Sequence, residues 1–186
     1  MVSAFSLWMP ILLSAVLVFV ASSIIHMVLG YHAGDVAGVP KQEALMDAFR
    51  PFQLAPGDYA IPKPNSMKDL GSPEFKALMD KGPAVFFTVR APGANFMGAT
   101  LGVWFGYCIV VAFVAAYITG IAYGKGATYP QIFRMAGTAG FACFAMALPQ
   151  HSIWYGRRWK TTLISMVDGL IFGCLIGGTF GWLWPR

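Results

Sequence analysis

Hydrophobic positions along this 186-residue chain gather into four long runs instead of alternating in short ones. The runs cover residues about 7–29, 96–123, 132–153 and 161–184. Each is long enough for an apolar helix to cross a bilayer core, which takes roughly 17–25 residues. The first run has no basic residues ahead of it and exceeds the roughly 7–15 residues of a signal-peptide core, so it reads as a permanent anchor. The purely apolar part of the third run stops at Leu148, before Pro149. A membrane helix tolerates proline as a kink, so the run is expected to continue to Ile153 and to carry His151 with it.

Residues 30–95 have a different pattern. They hold eight of the twelve prolines, seven basic residues and seven of the eight acidic ones, which marks a segment in water. Two short helical patterns, "KQEALMDAFR" and "PEFKALMDKG", stand in it, the second opened by Ser72 as N-cap ahead of Pro73. "GDYAIP" and "AVFFTVRAP" read as short strands bounded by glycine and proline. The expected fold is therefore an all-α membrane protein. A first helix to residue 29 leads into a small α/β cap over 30–95, and helices two to four complete a four-helix transmembrane bundle over 96–186. About 66 residues can bury little apolar surface unaided, so the cap is expected to lean on a neighbouring surface.

Composition sharpens this picture. Only 11% of residues are charged and 57% are hydrophobic, against about 25% charged in a soluble domain. The net charge of +5 is spread among acids and implies no nucleic-acid surface. Short loops set topology. The turn "WYGRRWK" carries Arg157, Arg158 and Lys160, whereas "YGKGATYP" carries Lys125 alone. The basic turn and the 30–95 cap are accordingly expected in the cytoplasm, with both termini outside.

Small residues recur at helical spacing. Gly169, Gly173, Gly177 and Gly181 form a ladder in the fourth run, and Gly98, Gly102 and Gly106 form one in the second. In lipid, helices associate through close van der Waals contact, which glycine permits. Two compatible arrangements follow: the second and fourth spans pack on each other within the chain, and a ladder that faces outward joins subunits of a homo-oligomer.

Ionisable residues inside spans usually face the bundle interior or a watery cavity. Asp168 lies in the fourth run, His26 near the end of the first and His151 near the end of the third, all in the same half of the membrane. Ser165 shares a helical face with Asp168, and Ser22 shares one with His26. These five make a candidate polar intramembrane site. The bland alternative is a buried polar pair that only fixes helix arrangement.

No cofactor and no metal are expected. Cys108, Cys143 and Cys174 fall near one depth, with Met146 close by, which is a copper-like set. No CxxC spacing supports it, and a buried cysteine usually acts as a small hydrophobe. Haem held between His26 and His151 is the other cofactor reading, and nothing else points to an electron carrier. No nucleophile elbow, P-loop or HExxH motif is present.

The stretches "SIIHMVLGYHAGD", "SPEFKALMDKGP", "YPQIFRMAG", "SIWYGRRW" and "DGLIFG…GGTFGWLWP" resemble a group of small bacterial inner-membrane proteins without assigned function. The resemblance implies a bacterial four-span protein and no activity, cofactor or site. The residues themselves support first a membrane protein, homo-oligomeric, that handles a proton, ion or small solute. The second reading is a non-catalytic subunit or assembly partner of a larger membrane complex. A haem or copper oxidoreductase comes third.

Overall fold

The computed structural model describes residues 1–93 and 96–186, with the backbone alone at Phe96. The expected end of the cap at Asn95 lies outside the described residues. Helices dominate: α1 (Trp8–Met27), α2 (Gln42–Phe49), α3 (Pro73–Lys81), α4 (Phe96–Ala122), α5 (Tyr129–Ala145), α6 (Pro149–Tyr155) and α7 (Trp159–Leu183). Two strands, β1 (Gly57–Ile61) and β2 (Val85–Val89), complete the order. Four helical stretches are long and apolar enough to cross a membrane: 4–27, 97–122, 129–155 and 159–183.

The chain divides into two compact units, one formed by Met1–Ala37 with Phe96–Arg186 and the other by Gly38–Asn95. The boundary falls at Gly38 because residues 30–37 fold back onto the long helices. In the smaller unit β1 pairs antiparallel with β2, Gly57 opposite Val89 and Ile61 opposite Val85. Ser72 caps α3 by accepting from the Phe75 amide at 3.1 Å, as its place before Pro73 suggests. Neither α2 nor α3 contains a buried residue. Phe49 and Tyr59 pack on the Phe87 ring instead, beside an apolar cleft of about 300 Å³.

In the larger unit the long helices close a ring, α1 on α4, α4 on α5, α5 on α7 and α7 on α1, with α4 and α7 nearly out of contact on one diagonal. This corrects the expectation that the second and fourth spans pack on each other. The α7 ladder meets α5. A Cβ built on Gly173 would stand 2.7 Å from the Gly137 carbonyl oxygen, and one on Gly177 would stand 2.6 Å from that of Phe133. Real Cβ atoms do not come so close, so only glycine lets these two backbones touch. Gly169 meets Ala145, and Gly181 lies under the Tyr129 ring. The answering glycines on α5 are Gly137 and Gly140. Gly98, Gly102 and Gly106, by contrast, have nothing among the described residues within 4 Å of the side chain they lack.

The third run continues past Pro149 as expected, to Tyr155, but it breaks into α5 and α6 there and does not merely kink. Proline has no N–H, and its ring clashes with the carbonyl four residues back. Here that carbonyl belongs to Ala145, where α5 ends; it accepts from the Leu148 amide at 3.1 Å instead. Pro149 then opens α6. At the other end α5 starts at Tyr129 because Thr128 and Gln131 form a capping box.

Candidate functional site

The site sits where α1 ends. The amides of Val28 and Leu29 both bond to the Ile24 carbonyl, and Gly30, at φ 66°, turns the chain back. A left-handed residue of this kind commonly ends a helix, and glycine adopts it without a Cβ penalty. The returning turn, closed by Ala33 N–H to the Gly30 carbonyl, lays Tyr31, His32 and Asp35 against α1 and α7. Asp168 comes from α7, nine residues after Trp159, and is 3% exposed.

The Tyr31 hydroxyl donates to Asp168 Oδ1 at 2.5 Å. Burial, together with the neighbouring Asp168 carboxylate, pushes the Tyr31 phenol up to about 12, so it stays a donor. His32 Nδ1 lies 2.7 Å from Asp35 Oδ2. That bond, with help from Thr161 and at longer range from Arg157, holds Asp35 below the usual carboxylate range against a desolvation that would raise it. A carboxylate there can only accept, so His32 Nδ1 carries the proton.

The other imidazole nitrogen is the unusual atom. His32 Nε2 is buried and lies 2.8 Å from Asp168 Oδ2. Yet it has no hydrogen-bond partner, because the oxygen stands off the direction in which a ring N–H points. With a proton held on Nδ1, the state of Nε2 decides whether this contact is an ion pair or a meeting of two lone pairs.

His26 completes the cluster. Its Nδ1 lies 2.9 Å from the Ser22 carbonyl oxygen, which can only accept, so in the neutral ring Nε2 is again the bare nitrogen. The His26 ring stacks on His32 with centroids 4.3 Å apart and planes 7° from parallel, and Tyr31 covers the other side of His32 at 4.5 Å. One ligand atom each from His26, His32 and Asp168 lies within 4.8 Å of the other two.

His26 and Asp168 also line a cavity of about 270 Å³ walled by Trp104, Tyr107, Phe144 and Phe172, with Ser165 at its edge. Ser165 donates to the Thr161 carbonyl. Ser22 holds the wall in place, accepting from Trp104 Nε1 at 2.8 Å while donating to the Phe19 carbonyl.

The structure therefore brings together His26 and Asp168, with Ser22 and Ser165 beside them. It does not bring His151, which is exposed, packs on the Tyr155 ring and is not part of the cavity wall. Tyr31, His32 and Asp35 belong to the 30–95 segment whose composition places it in water, and the structure sets them against α1 and α7 instead. The signal that marks them is the spacing His26…Tyr31-His32…Asp35, a cluster of ionisable groups straddling the end of an apolar run. Among the described residues the three cysteines are not gathered into a ligand set. Comparison with protein-family models, with curated proteins and with solved structures returns no match, so the site is read from its own chemistry alone.

Proposed function

We propose that the chain is a multi-pass integral membrane protein, a four-helix transmembrane bundle that self-associates and handles a small cation at Asp168. The apolar outer faces of its helices support the membrane part. Leu12, Val16 and Val20 on α1 and Leu163, Val167 and Leu170 on α7 are exposed at helical spacing. Water would penalise such continuous apolar surface, and a soluble monomer rarely shows it. The basic turn Arg157–Lys160 favours the cytoplasmic side for the end of the bundle that holds the site. The resemblance noted above favours a bacterial inner membrane.

One observation carries the cation: the buried Nε2 of His32 stands 2.8 Å from the Asp168 carboxylate without a hydrogen bond. A ring nitrogen and a carboxylate oxygen held that close need positive charge between them, as a proton or as another cation. Asp168 is also about 14 Å along α7 from its start at 1.5 Å per residue. A carboxylate near the centre of a membrane helix costs roughly 2.5–3.5 kcal/mol to insert. A cation taken up there offsets that cost, and the adjoining aromatic-walled cavity gives it room to arrive and leave.

Flux through reconstituted liposomes tests this reading. Indicators trapped inside would report protons, potassium and zinc separately. Asp168→Asn keeps the side chain's size and removes its charge, so it should fold and insert normally while losing the cation flux of the wild type. Undiminished flux in a well-folded variant would refute the reading.

A further inference from the structure

We infer that His26, His32 and Asp168 form a binding site for a divalent transition-metal ion of zinc-like preference. This rests on the cation-handling reading of Asp168 and names the class of ion. A proton is the competing occupant of the space between His32 and Asp168. It needs a near-linear path from Nε2 to the oxygen, since hydrogen bonds weaken steeply below ~120°. The pair is close but misaligned, which suits a metal ion that accepts both lone pairs from one side.

The surroundings favour the same occupant. Metal-bound histidine almost always gives its other ring N–H to a carboxylate or backbone carbonyl, and metal-bound carboxylates are themselves hydrogen-bonded. All three ligands here are braced in this way. His32 Nδ1 is held by Asp35, His26 Nδ1 by the Ser22 carbonyl, and Asp168 Oδ1 by the Tyr31 hydroxyl. Each brace occupies the atom that a metal would not use. Two imidazoles select zinc, copper, iron or nickel over magnesium or calcium, which prefer oxygen sets. Charge also balances, because a dication neutralises the Asp168 and Asp35 carboxylates together.

Three protein ligands leave a fourth position for water or exchange, the arrangement of open zinc sites, where metal–ligand bonds are about 2.0–2.2 Å. The ligand atoms lie within 4.8 Å of one another. Parallel rings cannot aim both lone pairs at one ion. Binding therefore turns His26 out of its stack on His32. His26 is exposed, which leaves it room to turn.

The test uses full-length protein in mild detergent, stripped with a chelator and titrated with Zn²⁺ and with Co²⁺, whose visible spectrum reports coordination. One equivalent of Co²⁺ should bind with a spectrum of nitrogen and oxygen ligands, and Zn²⁺ should displace it while Mg²⁺ and Ca²⁺ do not. His26→Ala and Asp168→Asn should abolish stoichiometric binding, and His151→Ala should retain it. Asp35→Asn leaves all three ligands in place and should weaken binding about 10–100-fold. That graded loss in a folded protein separates a metal site from mere misfolding. Binding that survives His26→Ala and Asp168→Asn, or a folded wild type that takes up neither ion, overturns the metal assignment. If such a wild type still loses proton or potassium flux on Asp168→Asn, the cation reading stands without the metal. Loss of neither ion flux nor binding on Asp168→Asn removes both.

Discussion

His32 and Asp168 are separated by 136 positions in the chain, yet their Nε2 and Oδ2 atoms lie 2.8 Å apart. The contact ties the turn after α1 to the first half of α7, and Tyr31 ties it a second time through the other carboxylate oxygen. Hydrogen bonds to charged groups contribute about 1.5–3 kcal/mol. Tyr31→Phe removes the donor and keeps the ring. It should lower the melting temperature in detergent by several degrees, at roughly 2–4 °C per kcal/mol for a chain of this size. An unchanged melting temperature would mean that the hydroxyl does not hold the turn.

The α5–α7 seam makes a sharper prediction. At Gly177 even one methyl group would stand 2.6 Å from the Phe133 carbonyl oxygen, and backbone cannot swing aside as a side chain can. Overpacking of this kind costs typically 1–3 kcal/mol, occasionally more. Gly177→Ala should therefore reduce thermal stability and folded yield, and Gly177→Leu should prevent folding. Gly102→Ala is the matched control, since nothing lies within 4 Å of that position. Equal stability of Gly177→Ala and wild type would remove the claim that this seam needs glycine.

The chain's periodicity makes some of this legible and hides the rest for physical reasons. The four apolar stretches and the Ser72 cap are local features, and the residues alone reveal them. The encounter of His26 with Asp168 follows from their shared depth at the same end of two helices. The partner of the α7 ladder does not, because a single helix shows which face is small but not which neighbour fills it. Gly137 and Gly140 escape a search at four-residue intervals because they are three apart. His32 and Asp35 lie past the end of the apolar run, in sequence that looks solvated. Only the turn at Gly30, read together with the buried carboxylate it delivers them to, places them in the site. The early start of α5 was readable, since Thr128 and Gln131 have capping-box spacing.

Topology is open to direct test. The basic turn Arg157–Lys160 and the segment containing Ser66 are both expected in the cytoplasm, because short basic loops stay inside. A lone cysteine at Ser66, with Cys108, Cys143 and Cys174 replaced, should resist impermeant thiol reagents in intact cells and react once the membrane is opened. Ready labelling in intact cells would invert the orientation and place the cation site at the outer face.

Self-association has its own signature, distinct from the α5–α7 seam. Glycine costs about 1 kcal/mol per helix position relative to alanine, so a run of three usually accompanies a close approach. Within the chain α7 uses its glycines against α5, but Gly98, Gly102 and Gly106 on α4 approach nothing among the described residues. Val103 on the same helix is 75% exposed and Val110 is 58% exposed, which leaves a small-residue groove beside apolar ridges. A second copy's α4 is the expected partner of such a surface, since identical grooves would let two backbones approach symmetrically. The wild type should therefore have the mass of more than one chain in mild detergent. Gly102→Leu should reduce it to a monomer while leaving the melting temperature nearly unchanged, because no intrachain contact is lost. Gly177→Ala should do the opposite, lowering stability before it alters mass. A monomeric wild type would refute self-association through α4, and a Gly102→Leu variant that unfolds would show the α4 face to be needed within the chain after all.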